Sequence, residues 1–144
     1  MATLRAARPG DAARLADLSR QLGYGAGEAD VARRLGLLLG HADHAVLVAE
    51  EDGEVVGWIQ VSLSLLVESP LSAEVRGLVV DERFRRRGVG PLLLRAADDW
   101  ARARGCARLR VPCNIVRADA HRFYEREGFR EVKRQRIFER AISG

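Results

Sequence analysis

A chain of 144 residues with 47% hydrophobic and 31% charged residues suits one globular domain with one core. Its net charge of +4 comes from 24 basic residues, all arginine except Lys133, scattered from Arg5 to Arg140, so a nucleic-acid partner is not expected. No apolar run of about 18 residues occurs and the opening MATLRAARPGDAARL has no apolar signal core, which excludes a membrane-spanning reading and favours a cytoplasmic protein with Cys106 and Cys113 reduced.

In chain order, residues 3–7 read as a short strand ended by Pro9 and Gly10. Asp11 stands as a helix N-cap, and Ala12, Leu15, Leu18 and Leu22 recur at helical spacing up to Gly23. A loop at 24–27 leads to a second helix over 28–39, stopped by Gly40. The period then becomes that of a strand at 45–49, with a hairpin turn at 51–54 and a return strand over 55–66. Ser69 and Pro70 break the chain before a strand over 73–80. A helix over 92–104 is closed by Gly105, a strand follows at 107–111, and a helix over 118–127 ends at Gly128. Segments 131–133 and 136–141 read as two last strands. The order is β-α-α-β-β-β-α-β-α-β-β: a mixed α/β fold in which hairpins give antiparallel pairs and the unit over 73–111 gives a parallel one.

The densest signal lies between the strand ending at Val80 and the next helix. There Arg85, Arg86 and Arg87 are followed by Gly88-Val89-Gly90-Pro91. The first turn of a helix leaves amide N–H groups without partners and carries about half a positive charge. Glycines let that backbone approach a phosphate closely, and Pro91 at the first helical position sacrifices no helix bond. One reading is an anion cradle and the other a solvated arginine run before an ordinary helix. The segment has neither the Gly-Lys-Ser/Thr of a Walker loop nor the third glycine of a dinucleotide fingerprint.

Leu78-x-Val80 followed by Arg85-x-x-Gly88-x-Gly90 resembles the acetyl-CoA signature of the GNAT superfamily of N-acetyltransferases. Downstream, Ala120-His121-Arg122-Phe123-Tyr124-Glu125-Arg126-Glu127-Gly128-Phe129 is similar to that family's A-x-x-F-Y-E-x-x-G-F segment. The resemblance implies a GNAT-like sheet, mostly antiparallel, with about four helices in one N-acetyltransferase domain over 1–144. It implies acetyl-CoA as co-substrate. The pyrophosphate would lie on Arg85, Arg86, Arg87, Gly88, Val89 and Gly90. The pantetheine arm would run along Leu78, Val79 and Val80, beside a bulge that splays the strand from its neighbour. An amide near Val79 would polarise the thioester carbonyl.

The same resemblance places Tyr124 where the family keeps the tyrosine that protonates the leaving thiolate. Its alternative role is packing in the aromatic face Phe123, Tyr124 and Phe129. Glu74, on the face shared by residues 74, 76, 78 and 80, is the candidate base that takes the amine proton, or else simply a partner for a nearby arginine. The family often has Asn where Arg117 stands. Arg117 then reaches cofactor phosphate or substrate, or caps the helix. Pro112 occupies the place where some members carry a glutamate base. His41 and His44 have no ligand partners at metal spacing, and no metal is expected. Cys106 and Cys113 read as core fillers.

For the acceptor, residues 24–30 and 65–72 are the expected surroundings, with Glu28, Asp30 and Glu68 as possible attractants for a cation. The expected substrate is the primary amine of a small molecule, attacked directly in a ternary complex. A protein N-terminal or lysine acetyltransferase and a non-catalytic acyl-CoA-binding module are the alternatives, and a homodimer through the last strands follows by family analogy.

Overall fold

A computed structural model describes residues 1–25 and 27–143. Two compact units divide the chain, Met1–Pro112 and Cys113–Gly144, and each is described by itself. No helix of the described residues is long and apolar enough to cross a membrane.

The first unit is a five-stranded sheet in sequence order: β1 (Thr3–Ala6), β2 (His44–Glu51), β3 (Glu54–Leu66), β4 (Ser69–Val80) and β5 (Leu109–Arg110). The first three pairings are antiparallel and β4–β5 is parallel. The mixed, mostly antiparallel sheet expected from the order of elements is therefore present. Between β2 and β3 the tight turn places Asp52 at φ 51° and Gly53 at φ 79°, the left-handed pair that a two-residue hairpin with right-handed twist requires. Side-chain alternation gives the sheet two covered faces. On one face α1 (Ala12–Gln21) and α2 (Glu28–Leu39) bury Leu15, Leu18, Leu35, Val46, Val48 and Val79 together. On the other, α3 (Val89–Ala103) presses Val89 and Leu93 so close to Gly57 that an added Cβ would stand 3.1 Å from each. The loop position Ala26 lies outside the described residues.

Three local expectations are corrected. Asp11 directly precedes α1 but does not cap it, because its carboxylate is turned back to accept from Arg5 (2.8 and 2.9 Å) and from the Arg8 amide (2.8 Å). That guanidinium holds the Asp11 carboxyl below the usual carboxylate range. Strand β4 starts at Ser69, four residues before Ala73, and Pro70 is inside it. Pro70 falls opposite a register irregularity between Ser64 and Leu66, where a missing N–H breaks no ladder bond. Helix α3 begins at Val89, so Pro91 is its third residue, still within the turn whose amides lack helical acceptors.

The second unit holds α4 (Ala118–Arg126), closed by Gly128 at φ 91°, with the Phe129 amide donating to the Tyr124 carbonyl at 3.0 Å. Segments 131–133 and 136–141 are not strands. A strand needs a partner ladder as well as β-favouring residues, and here Val132, Ile137 and Phe138 are exposed by 63%, 79% and 82%. The local contacts are Arg134 with Glu131 and the Arg136 guanidinium over Phe138.

Candidate active site

Strand β4 carries one extra residue. Gly77 pairs with Gln60 and Val75 with Val61, so Arg76 is a bulge opposite no residue of its own. On its other side β4 pairs with β5 at Ala73 and Glu74, and from Val75 to Val80 no strand pairing is formed on that edge among the described residues. The Asp81 amide donates to the Val56 carbonyl at 2.8 Å. Because antiparallel residues alternate in direction, Val79 also turns its N–H toward β3, whereas Leu78 and Val80 turn theirs to the open edge. The amides that an extended ligand can meet are thus those flanking Val79.

The chain leaves β4 through a 3-10 turn, Glu82–Phe84, and enters the arginine-glycine loop. Arg86 (φ 64°) and Gly88 (φ 81°) are both left-handed, which turns successive amides toward one side in the manner of an anion nest. No heavy atom lies within 4 Å of the point where a Gly88 Cβ would stand, so the space over this backbone is open. The first bond of α3 runs from the Leu92 amide to the Gly88 carbonyl at 3.1 Å, leaving the Val89 and Gly90 amides without helical acceptors. Arg85, Arg86 and Arg87 are exposed and form no ion pair among the described residues, while the Arg87 guanidinium rests 5.1 Å from the Phe84 ring centroid. Open backbone, unpaired amides and free cations are what a diphosphate requires.

The junction between strand and loop is pinned by Asp81, which lies outside the motif residues expected to form the site. It is 1% exposed. Its carboxylate accepts from Arg14 Nη2 of α1 (2.5 Å) and from the Arg83 amide (3.0 Å), Nε (3.3 Å) and Nη2 (2.8 Å). Hydrogen bonds from Arg83 outweigh the cost of burial and hold the carboxyl well below the usual range. A second tie from α1 is the Gln21 side-chain oxygen, which accepts from the Glu82 amide at 3.0 Å. An acidic residue between an apolar strand and a basic turn was the available signal, since such a group is rarely buried without partners.

Glu74 lies next to the bulge in a polar row that crosses the sheet, His44 opposite Ser62 and Ser62 opposite Glu74. Its Oε2 is 2.9 Å from Arg76 Nη1, and Arg76 Nε donates to Ser62 Oγ at 2.9 Å. The ion-pair reading of Glu74 therefore describes a contact that exists, and the carboxylate is still 21% exposed. Burial pushes the His44 imidazolium down from its ordinary value, with His41 and Arg76 adding to the effect, and its Nδ1 has no partner. Between α1, α2 and the sheet is a cavity of about 220 Å³ whose floor includes Trp58 and Gln60. Leu15, Val31, Leu35 and Leu38 form apolar walls, and among the described residues Arg34 is the one charged residue lining it. Trp58 reaches over Gly77, where a Cβ would stand 2.8 Å from Cη2.

In the second unit Tyr124 is half-buried on α4 and meets Phe123 and Phe129 edge-on, with ring centroids 5.2 and 5.7 Å apart. Burial pushes its phenol up to about 12, so at neutral pH the hydroxyl keeps its proton. Burial likewise raises the Cys113 thiol, which disfavours a thiolate nucleophile there. Arg117 precedes α4, makes no side-chain cap and is exposed.

Comparison with known proteins joins these observations. Residues 13–129 match the model of the acetyltransferase (GNAT) family, a span that includes both the arginine-glycine loop and the tyrosine helix. The aminoglycoside N(6')-acetyltransferase type 1 of Stenotrophomonas maltophilia is 34% identical over 137 residues, covering 92% of this chain and 88% of that protein. The aminoalkylphosphonate N-acetyltransferase of Salmonella typhimurium is 38% identical over 85 residues, 58% of this chain and 55% of that protein. Among solved structures, an aminoglycoside N-acetyltransferase in complex with CoA shares the fold with a TM-score of 0.88 at 20% identity, over 99% of this chain and 96% of that one. With four-fifths of its length inside the family match, and with the bulged strand and glycine loop in place, this chain belongs to the GNAT acetyltransferase family.

Proposed function

We propose that the protein transfers an acetyl group from acetyl-CoA to the primary amine of a small molecule, by direct attack while both substrates are bound. The observation that carries this reading is the loop at 85–90: two left-handed residues, no described atom near a Gly88 Cβ, and three exposed arginines that form no ion pair among the described residues. Its main chain and arginines hold the pyrophosphate, while Leu78 and Val80 offer amides to the pantetheine arm along the open edge of β4. The amine nitrogen forms a bond to the thioester carbon as the carbon–sulfur bond breaks. Before that attack Glu74, or water beside it, takes a proton from the acceptor's ammonium to free the nitrogen's electron pair. Tyr124 gives its proton to the departing thiolate, and the proton left on the acylated nitrogen passes to solvent. Arg117 assists the cofactor from the start of α4.

The acceptor's remaining atoms occupy the cavity between α1, α2 and the sheet, whose described lining differs from the expected surroundings at 24–30 and 65–72 and includes none of Glu28, Asp30 and Glu68. Relatives that act on aminoglycosides make a polycation one candidate, and the aminoalkylphosphonate relative makes an amine with an anionic end the other. The lining favours the second, because among the described residues Arg34 is the charged residue that lines it and no carboxylate there neutralises a polycation. Self-association belongs to the same reading, since Val132, Ile137, Phe138 and Ile142 are left to solvent in one short segment. Sedimentation measures it.

Thiol release from acetyl-CoA over a panel of amines tests the whole. The panel includes kanamycin, 2-aminoethylphosphonate, spermidine and a peptide with a free N-terminus. Release above background with a small amine supports the reading, and release only with the peptide favours the N-terminal acetyltransferase alternative. CoA binding without release by any amine favours the binding module. Arg34→Ala is expected to raise KM for the phosphonate about tenfold, the scale of a lost charge-assisted hydrogen bond, and to leave spermidine unaffected.

A further inference from the structure

A carboxylate beside an anion site is unfavourable unless it does something that outweighs the repulsion. Asp81 is such a carboxylate. It lies four residues before Arg85, is 1% exposed, and is gripped by two arginines from different elements. Each contact fixes the path of the chain between β4 and the loop. Its amide closes the β3 ladder at Val56, its carbonyl accepts from the Phe84 amide at 2.8 Å, and its side chain binds both the Arg83 amide and the Arg83 guanidinium. Arg14 anchors this knot to α1, and the same guanidinium donates to the Val55 carbonyl at 2.8 Å. Arg83 extends the knot to Glu54 at the start of β3, with 2.8 Å between Nη2 and Oε1. The turn Glu82–Phe84 is consequently held by α1, β3 and β4 together, and the loop at 85–90 starts from a fixed place and direction.

We propose that Asp81 is a positioning residue for CoA binding, acting through Arg83 and Arg14 to preset the amides and arginines of the loop at 85–90. This rests on the reading of that loop as the diphosphate cradle. The role has a signature that simple electrostatics cannot imitate. Deleting a negative charge near a bound polyanion strengthens binding if field alone matters. Deleting a positioning group weakens it, because the loop must then be ordered when the ligand arrives.

The variants are Asp81→Asn, which keeps the shape and loses the charge, and Arg83→Lys, which keeps the charge and loses the fork that grips Asp81. For each, CoA affinity is measured by calorimetry, turnover at saturating acetyl-CoA by thiol release, and amide hydrogen exchange over residues 82–90 by mass spectrometry. The expected results are CoA binding weakened about tenfold by Asp81→Asn, on the scale of a small misplacement of binding groups, with turnover within about twofold. Exchange over 82–90 should be faster in both variants, and CoA binding weaker in Arg83→Lys although no charge has changed. Tighter or unchanged CoA binding in a folded Asp81→Asn protein overturns the proposal, as does unchanged exchange over 82–90. Should Asp81→Asn fail to fold, Arg83→Lys decides by the same two readouts. Absence of CoA binding by the unsubstituted protein refutes the cradle reading instead, and the exchange data then still decide whether Asp81 orders the loop.

Discussion

The two ends of the proposed active centre are built in opposite ways. The cofactor end is main chain: amides of Leu78, Val80, Val89 and Gly90, two left-handed residues, and a buried carboxylate that fixes the turn before them. The acceptor end is side chain: a cavity whose lining comes from α1, α2, β2 and β3, with Trp58 and Gln60 in its floor and the charged Arg34 on its wall. A main-chain site constrains residue type at few positions, chiefly where only glycine fits or where a helix begins. A side-chain site tolerates many combinations of residues, so one framework can accept different amines. The difference separates what is fixed in this protein from what is adjustable.

Substitutions at the two ends should therefore fail differently. The largest effect is expected from Gly88→Glu, which puts a side chain into a left-handed position and an anion over the cradle, and should take CoA binding below calorimetric detection. Retained binding would mean that the loop is not the phosphate site. Tyr124→Phe comes next, with turnover reduced about 100-fold and acetyl-CoA affinity unchanged, which single-turnover kinetics can separate. Because the phenol is pushed up to about 12, turnover should not decline through tyrosine ionisation anywhere near neutral pH, and a fall with an apparent pKa below about 10 would assign that limb to another group.

At the acceptor end the expected losses are smaller and concern packing. Gly77→Ala would drive a methyl group to within 2.8 Å of the Trp58 ring, and the resulting shift should cost about 1–3 kcal/mol in urea denaturation. Unchanged stability would show that the indole can move aside and that the cavity floor is soft. The last expected effect is one of acid sensitivity, read as a slope of stability against pH. Asp81 has a folded-state pKa held down by Arg83, so its contribution to stability is complete above its unfolded value near 3.9 and is lost as the pH falls below it. Thermal melts of Asp81→Asn between pH 7 and about pH 2.5 should show a flatter acid limb than the unsubstituted protein.

Legibility in the sequence follows the same division. The element order and the glycine-arginine loop could be read because helix starts, tight turns and anion nests restrict local residue choice, as at Asp52-Gly53 and Gly88. Asp81 had a local signal, a carboxylate between Val80 and a basic turn, but its partner Arg14 is 67 positions away and nothing local announces it. The cavity left less trace still. Leu15, Leu38, Val46 and Trp58 each read as ordinary core, and only the packing of two helices across the sheet leaves a gap among them. The last two expected strands differ for a related reason: residues 131–133 and 136–141 have β-favouring side chains, yet pairing is a property of two segments, and these form no ladder among the described residues.

The open edge of β4 has a consequence for the ligand-free protein. From Val75 to Val80 it presents main-chain donors and acceptors that pair with no strand among the described residues, and an unpaired row of this kind adheres to whatever extended chain drifts past. A coenzyme arm lying there would act as a sheath as well as a reactant. Protein prepared without coenzyme should accordingly be the form that clumps on storage, and supplying CoA during purification should protect it before any chemistry is asked of it.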